Sequence, residues 1–217
     1  MTQLGNSWME TLQGGFEIGG AMVTPFRRPS RLRWGANDDE LARSYPGDEL
    51  VSEPSWTATH VISIDATRER IWPWIAQIGQ GRGGFYAYQK LENLVGSKIT
   101  NTDRILDEHQ DIREGDAVRL HVDTPPMTVA IVEEPTTLVL LGNPAEGDGS
   151  MVISTSWAFL LLKQPGGTTR FLSRTRYHHA EDRRSRIAGG PLLIEPISFV
   201  MERKMLKVIK ALAETSH

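Results

Sequence analysis

The sequence predicts an α+β domain in which a curved antiparallel β-sheet wraps around a long C-terminal helix. Apolar residues recur every three or four positions over Pro191–Glu214, a pattern typical of an amphipathic helix. The chain before it contains short β-branched runs separated by turn residues, at spacings that favour antiparallel pairing. Strands and helices are grouped rather than alternating, which argues against a parallel α/β sheet.

The C-terminal helix is predicted to bury one apolar face against the sheet. That face comprises Ile194, Ile197, Met201, Met205, Val208 and Leu212. Five charged residues lie mostly off it: Glu202, Arg203, Lys204, Lys207 and Lys210. Because proline has no N–H, we expect a kink or a late start at Pro196. We interpret the neighbouring Glu195 as a surface carboxylate.

The first strand is predicted over Trp56–Ile64, which alternates and is rich in β-branched residues. A helix over 67–78 follows, and Pro73 should kink it. Gly79, Gly81 and Gly84 match the spacing of a dinucleotide-binding loop, but that loop needs a preceding strand. Because a helix precedes these glycines, we interpret them as a sharp turn that ends it.

The remaining strands form a meander, preceded by a short helix over Tyr88–Val95. They are predicted at Ala117–Val122, Thr128–Val132, Leu138–Leu141, Met151–Leu162 and Thr169–His178. The loop Gln164–Thr168 contains Pro-Gly-Gly and should join the last two strands as a hairpin.

Length and composition favour one large domain with an extension. Of the 217 residues, 1–33 are rich in glycine and polar residues, and we expect a mostly solvated extension before a domain at 34–217. Trp8, Met9, Leu12 and Phe16 would allow a short docked helix within that extension.

The composition also excludes several classes of protein. A net charge of −3 offers no overall attraction for nucleic acid, and no apolar run is long enough to span a bilayer. Without cysteine there are no disulfides and no thiolate metal sites. Successive strand residues such as His178 and His179 point to opposite faces, so they make a poor metal site. We expect a cytoplasmic protein without metal or cofactor, and a homodimer is left open.

Seven stretches together resemble the START-like, Bet v 1-like superfamily, also called SRPBCC or polyketide-cyclase-like, and in particular a bacterial branch of it. These stretches are Ile62–Ala66, Ile71–Gln77, Gly79–Tyr88, Leu91–Leu94, Trp157–Leu161, Thr169–Tyr177 and Glu195–Lys204. The resemblance covers about residues 34–214. It implies a helix-grip fold with a cavity between sheet and helix, but it implies no particular reaction.

A cavity of this kind would be mostly apolar with a few orienting polar groups. The candidate ligand-binding residues are Trp74, Tyr86, Trp157, Phe159, Arg174, Arg176, Met201 and Met205. Arg174 and Arg176 share one strand face, and Ser173, Thr175 and Tyr177 share the other. Inward arginines could hold a carboxylate or phenolate, whereas outward arginines would form a solvated or salt-bridged ladder.

Three hypotheses for function follow. The first is a binding or carrier protein for a small hydrophobic molecule. The second is a cyclase- or hydratase-like enzyme acting on a polyketide-type or aromatic substrate, for which Arg174, Arg176, Tyr177 and Tyr86 would be tested first. The third is a regulatory module that contacts a partner through residues 1–33. The sequence assigns no catalytic residue.

Overall fold

The computed structural model of the chain describes residues 8–94, 99–142, 153–190 and 193–215. The helices within these ranges are α1 (Trp8–Met22), α2 (Arg28–Leu32), α3 (Asp38–Ala42), α4 (Arg68–Ala76), α5 (Gln89–Leu94), α6 (Arg183–Gly189) and α7 (Ile194–Thr215). The strands are β1 (Trp56–Ile64), β2 (Ala117–Val118), β3 (Met127–Glu133), β4 (Thr137–Gly142), β5 (Ile153–Lys163) and β6 (Thr169–His179).

The six strands form one antiparallel sheet in the order β1-β6-β5-β4-β3-β2. The chain runs back and forth from β2 to β6, and β6 then pairs along its length with β1. The predicted hairpin is present, with Ile153–Lys163 paired to Thr169–His179 through the Pro165–Gly167 turn. The sheet and the long α7 confirm the predicted α+β, helix-grip architecture. Residues 151–152 of the predicted β5 lie outside the described ranges.

Directly opposed residues of antiparallel strands share a face, so the register defines what lies beneath α7. One row across the sheet consists of His60, Ser173, Phe159 and Leu138, and the next consists of Ala58, Thr175, Trp157 and Leu140. We call this the helix-facing side of the sheet. Phe159, Leu138, Trp157 and Leu140 pack with α4 and α7 into the main core, whereas Ala58 belongs to a separate cluster with Trp56 and Tyr177.

The outer side of the sheet is covered by the segment between α2 and β1. Val61, Val139, Leu160 and Leu172 form a second buried cluster there with Tyr45. Gly47 closes this layer, since it has a φ of +92° and a Cβ at its position would lie 2.6 Å from Cγ1 of Val139. Both faces of the sheet are therefore buried, which leaves little of it in contact with water.

The glycine-rich segment after α4 forms a tight turn, as predicted. Gly79 and Gly84 pair as an isolated antiparallel bridge, and Gly79, Gly81 and Gly84 have positive φ. The turn follows a helix rather than a strand, so it lacks the arrangement of a dinucleotide-binding loop.

The N-terminal residues that the structure describes contact the domain. α1 packs on α7, where Glu10 Oε1 lies 2.9 Å from Lys204 Nζ and Glu17 Oε2 lies 2.6 Å from Arg203 Nη2. The apolar residues that suggested a docked helix do not make this contact, because Trp8, Met9, Leu12 and Phe16 are all exposed. None of the described helices has the length and apolar character needed to cross a bilayer.

The face that α7 buries differs from the predicted one. Met205 and Leu212 are buried as predicted, but Leu206, Ile209 and Ala213 complete the buried face, together with Glu202. Ile194, Ile197, Met201 and Val208 are only half-buried. The prediction assumed one covering surface, whereas α7 lies between the sheet and α1. Pro196 falls in the first turn of α7, where no intrahelical N–H bond is lost.

Candidate functional site

A cluster of polar side chains is buried between the helix-facing side of the sheet and α7. Its centre is Glu202, of which only 7% is exposed. Oε2 of Glu202 lies 2.8 Å from Nδ1 of His60 and accepts a 3.0 Å hydrogen bond from Ser173 Oγ. Oε1 accepts a 3.0 Å bond from Thr175 Oγ1. This one carboxylate on α7 is therefore bonded to side chains of two strands, β1 and β6.

The direction of each hydrogen bond fixes the hydrogen positions in this cluster. Trp157 Nε1 can only donate, and it lies 2.9 Å from Ser173 Oγ, so the Ser173 hydrogen points to Glu202. The backbone oxygen of Arg31 can only accept, so His60 Nε2, 3.0 Å away, carries a hydrogen. One hydrogen between His60 Nδ1 and Glu202 Oε2 completes these contacts, whichever of the two atoms carries it.

His60 is sealed from solvent. Only 1% of it is exposed, both ring nitrogens have partners, and Phe199 packs edge-on against the ring at 5.5 Å between centroids. A proton shared by His60 and Glu202 therefore has no described path to a substrate. The pair therefore holds β1 against α7 and is closed off from a ligand.

An aromatic wall extends from this cluster along the helix-facing side. The half-buried Trp157 stacks on Phe85 at 6.4 Å and 27°, and it contacts Phe159 at 4.6 Å. Phe159 in turn contacts Phe171 at 6.2 Å. Since Phe159 and Phe171 are completely buried, Trp157 is the point at which this wall reaches partly accessible surface.

Tyr177 continues the same strand face, two residues beyond Thr175. Its ring stacks on Trp56 at 5.0 Å with an interplanar angle of 13°. Burial raises the pKa of the Tyr177 hydroxyl to about 12, so the phenol is neutral at physiological pH. The face therefore carries three hydroxyl groups in sequence, from Ser173, Thr175 and Tyr177.

The predicted ligand-binding residues are dispersed in the structure. Trp157 is half-buried beside the Glu202 cluster, and Phe159 and Met205 lie in the main core beneath it. Trp74 and Tyr86 are buried in the same core as an edge-to-face pair at 6.1 Å. Gln77 Nε2 donates a 2.8 Å hydrogen bond to the Tyr86 hydroxyl, and burial raises the Tyr86 pKa.

Met201 lies elsewhere. It packs with Ala21 and Tyr88 on the side of α7 that faces α1, away from the sheet. The prediction placed it on the sheet side because the helical pattern could not show that α7 has two apolar neighbours. Met201 is therefore not part of the candidate site.

Arg174 and Arg176 lie on the outer side of the sheet. Arg174 Nε donates a 2.7 Å bond to Asp48, and its Nη1 donates to Thr59. Arg176 donates to the backbone oxygens of Val51 and Ser52. Their assignment as ligand-binding residues between sheet and helix is wrong, because strand alternation directs Ser173 and Thr175 toward α7 instead.

Sequence reasoning missed His60 and Glu202. A signal for both was present, since His60 alternates with Ile62 and Ile64, and Glu202 stands seven residues before Ile209 on the buried face. Glu195 was also misjudged as a surface group. It is 2% exposed and forms a 2.9 Å salt bridge with Arg28.

Within the described ranges, no group of three histidine, aspartate or glutamate residues is arranged to hold a metal ion. Nδ1 of His121 lies 3.8 Å from Oδ2 of Asp123 and accepts a 3.1 Å hydrogen bond from the Asp123 backbone N–H.

No family model and no curated protein matches the sequence. Solved structures that align with it include protein MLL2253 from Mesorhizobium loti, at 15% identity over 73% of this chain and 98% of that one, with a TM-score of 0.43. Norcoclaurine synthase from Thalictrum flavum aligns at 13% identity over 81% and 96%, with a TM-score of 0.44. CalU16 from Micromonospora echinospora aligns at 13% identity over 73% and 83%, with a TM-score of 0.34. At these values the similarities carry no argument about ligand or reaction.

Proposed function

We propose that the protein binds a small, largely apolar molecule on the helix-facing side of the sheet, with Trp157 as the contact surface and the buried Phe85 stacked on it as support. The observation that carries the proposal is the state of Trp157. This large side chain is only half-buried, yet it is fixed by a hydrogen bond to Ser173 and by stacking on Phe85. A rigid, partly accessible aromatic surface loses little side-chain entropy when a ligand stacks on it.

The buried polar cluster supports this assignment by explaining the rigidity of Trp157. The Ser173 hydroxyl accepts a hydrogen bond from the Trp157 indole N–H and donates one to Glu202. His60 and Thr175 also bond to Glu202 and keep it in place. Because each donor has an acceptor, the ligand need not supply a strong polar group to this cluster. The expected ligand is therefore aromatic or aliphatic, with modest polarity.

Binding without chemistry fits this site better than catalysis. A general acid or base must come within hydrogen-bonding distance of its substrate. His60 and Glu202 are bonded to each other and to the protein, and neither is accessible. Tyr177 is too weak an acid for general acid–base work near neutral pH, since its pKa is about 12.

Ligand classes can be tested by thermal-shift screening of the protein against fatty acids, flavonoids and aromatic polyketides. A hit is then measured by isothermal titration calorimetry with the wild type and with Trp157→Ala. We expect Trp157→Ala to weaken binding by about tenfold or more, as for a central aromatic contact.

Leu162→Ala is the matched control. Leu162 lies on the same strand as Trp157 but packs with the outer cluster, so this variant should lose stability and retain affinity. Equal affinity of the wild type and Trp157→Ala would reject the site. If no class of compound shifted the melting temperature, the binding function itself would be rejected.

A further inference from the structure

The solvent side of α1 is an apolar face. Trp8, Met9, Leu12, Phe16 and Val23, which directly follows α1, expose between 62% and 80% of their surface. At 100° per residue they fall within an arc of about 100° on the helix. We call these five residues the α1 face. Single exposed apolar residues are ordinary on protein surfaces, but a continuous row of five is not.

α1 differs from an ordinary surface helix because its charged residues face the domain, beside Ile18 and Ala21, while its larger apolar residues face outward. Its two charged residues, Glu10 and Glu17, lie on the side toward the domain and bind Lys204 and Arg203. Tyr88 also donates a 3.1 Å hydrogen bond to Glu17. Burial opposes ionisation of Glu17, but hydrogen bonds from Gln13 and Arg203 and the Arg203 charge outweigh it and lower the pKa. The salt bridges thus hold the helix with its apolar side outward.

Small residues lie beside the exposed ridge. Gly15 and Gly19, four positions apart, border the ridge formed by Leu12 and Phe16, and a Cβ at either glycine would meet no atom within 4 Å. The surface therefore has both a row of large side chains and a shallow groove. Packing of helices requires this combination of ridge and groove.

We infer that the α1 face joins two copies of this chain in a two-fold symmetric dimer. A two-fold contact places the same patch on both partners, so it requires a self-complementary surface. The ridge of Leu12 and Phe16 on one copy fits the Gly15–Gly19 groove of the other. Taking 150–250 Å² for a large side chain, the α1 face presents roughly 700 Å², near the 800 Å² per partner of a stable interface.

The charge pattern favours a second copy over a membrane surface. A helix that lies on a membrane carries lysine and arginine on its polar side. α1 contains no basic residue, and its acidic residues are engaged by the domain. The five side chains of the α1 face are uncharged, and the Lys90 ammonium lies 4.9 Å from the centre of the Trp8 ring at one end of the face. The face therefore offers little electrostatic selection for a charged partner protein.

The test is sedimentation velocity of the full chain over a wide range of concentration, with and without Phe16→Glu. Phe16 is 80% exposed, so the variant should fold as the wild type does, which circular dichroism checks. We expect a wild-type dimer whose Kd rises by about 30-fold or more in Phe16→Glu, the effect of losing a central aromatic contact. Gln164→Glu is the matched control, because it adds the same charge at an exposed loop between β5 and β6.

Gly19→Ala provides a second variant with a distinct signature. The added methyl is free of contacts within one chain and alanine favours helix, so the isolated chain should melt at a higher temperature. The same methyl fills the groove and should weaken the dimer. A wild type that is monomeric at every concentration would overturn the inference, as would a dimer unaffected by Phe16→Glu. A monomer that binds phosphatidylglycerol vesicles through Phe16 would assign the face to membranes instead.

Discussion

Replacing Glu202 with leucine removes the centre of the buried polar cluster. The change leaves Nδ1 of the buried His60 without its partner and removes the acceptor of Ser173 and Thr175. Each buried polar group left unsatisfied costs about 1–3 kcal/mol, so the loss of a partner for three groups should cost about 3–5 kcal/mol. That is a large share of the roughly 5–15 kcal/mol that holds a typical domain folded.

His60→Leu should cost a similar amount, since it leaves the buried Glu202 carboxylate with only two hydroxyl donors. The double variant removes both polar partners, so its free energy of unfolding should fall by clearly less than the sum of the two single losses. For a contacting pair we expect a coupling energy of about 2–3 kcal/mol. Urea unfolding followed by tryptophan fluorescence gives all four values of the cycle.

Glu214→Leu is the control, because Glu214 lies on the same helix but is half-exposed, pairs with Lys210 at 3.3 Å and accepts a 2.8 Å hydrogen bond from the Asp65 backbone N–H. It should cost about 1–2 kcal/mol, less than Glu202→Leu. If the losses in Glu202→Leu and His60→Leu simply add in the double variant, the two residues do not interact. A loss of under about 1 kcal/mol in Glu202→Leu would contradict the whole account of the cluster.

Three further results are expected. The unfolded state releases the Tyr177 proton above pH 10, while the folded state retains it to about pH 12. The free energy of unfolding should therefore fall by up to about 3 kcal/mol over that interval. Tyr177→Phe should flatten this decline in an alkaline titration followed by circular dichroism. The Glu17 carboxylate has a pKa below 4.5 in the folded protein, so it stabilises α1 above pH 4.5. On acidification, the α1 amides should therefore lose their protection from hydrogen exchange before the amides of the sheet do. The Glu17→Gln variant should show this low protection of α1 already at neutral pH. Gly47→Ala should lower the free energy of unfolding by about 1–3 kcal/mol more than Gly115→Ala does. Both glycines have φ near +90°, but only the Cβ of an alanine at position 47 would clash with another residue, Val139. Equal losses in the two variants would attribute the whole effect to the backbone conformation.

The elements with strong local signals could be predicted from the sequence. β5 and β6 alternate over many residues, and Pro-Gly-Gly between them leaves a hairpin as the simple connection. Asn37 caps α3, since its side chain accepts a hydrogen bond from the Glu40 N–H and its own N–H donates to the Glu40 carboxylate. β2 was predicted longer than its two residues, because a β-branched run by itself cannot show where a partner strand ends.

The candidate site could not be predicted to the same extent, because its main residues depend on contacts distant in sequence. Glu202 and His60 are 142 positions apart in the sequence. Each is a polar residue at a buried position, and only the folded structure brings its polar partner beside it. Hydrophobic periodicity assigns glutamate to the solvent side by default. The side of the sheet occupied by Arg174 was undetermined for a related reason, since alternation defines two faces without naming the covered one.

The backbone oxygen of Arg31 has a consequence for where this chain can be shortened. This oxygen accepts a hydrogen bond from Nε2 of the buried His60. The nearby Arg28 forms a salt bridge with Glu195 at the start of α7. A truncated protein beginning at Trp34 would retain the six described strands and α7, yet it would lack the acceptor of His60 Nε2 and the salt-bridge partner of the buried Glu195. The segment before Trp34, which looks dispensable in the sequence, is thus an integral cover, and its removal should leave a folded unit that is less stable.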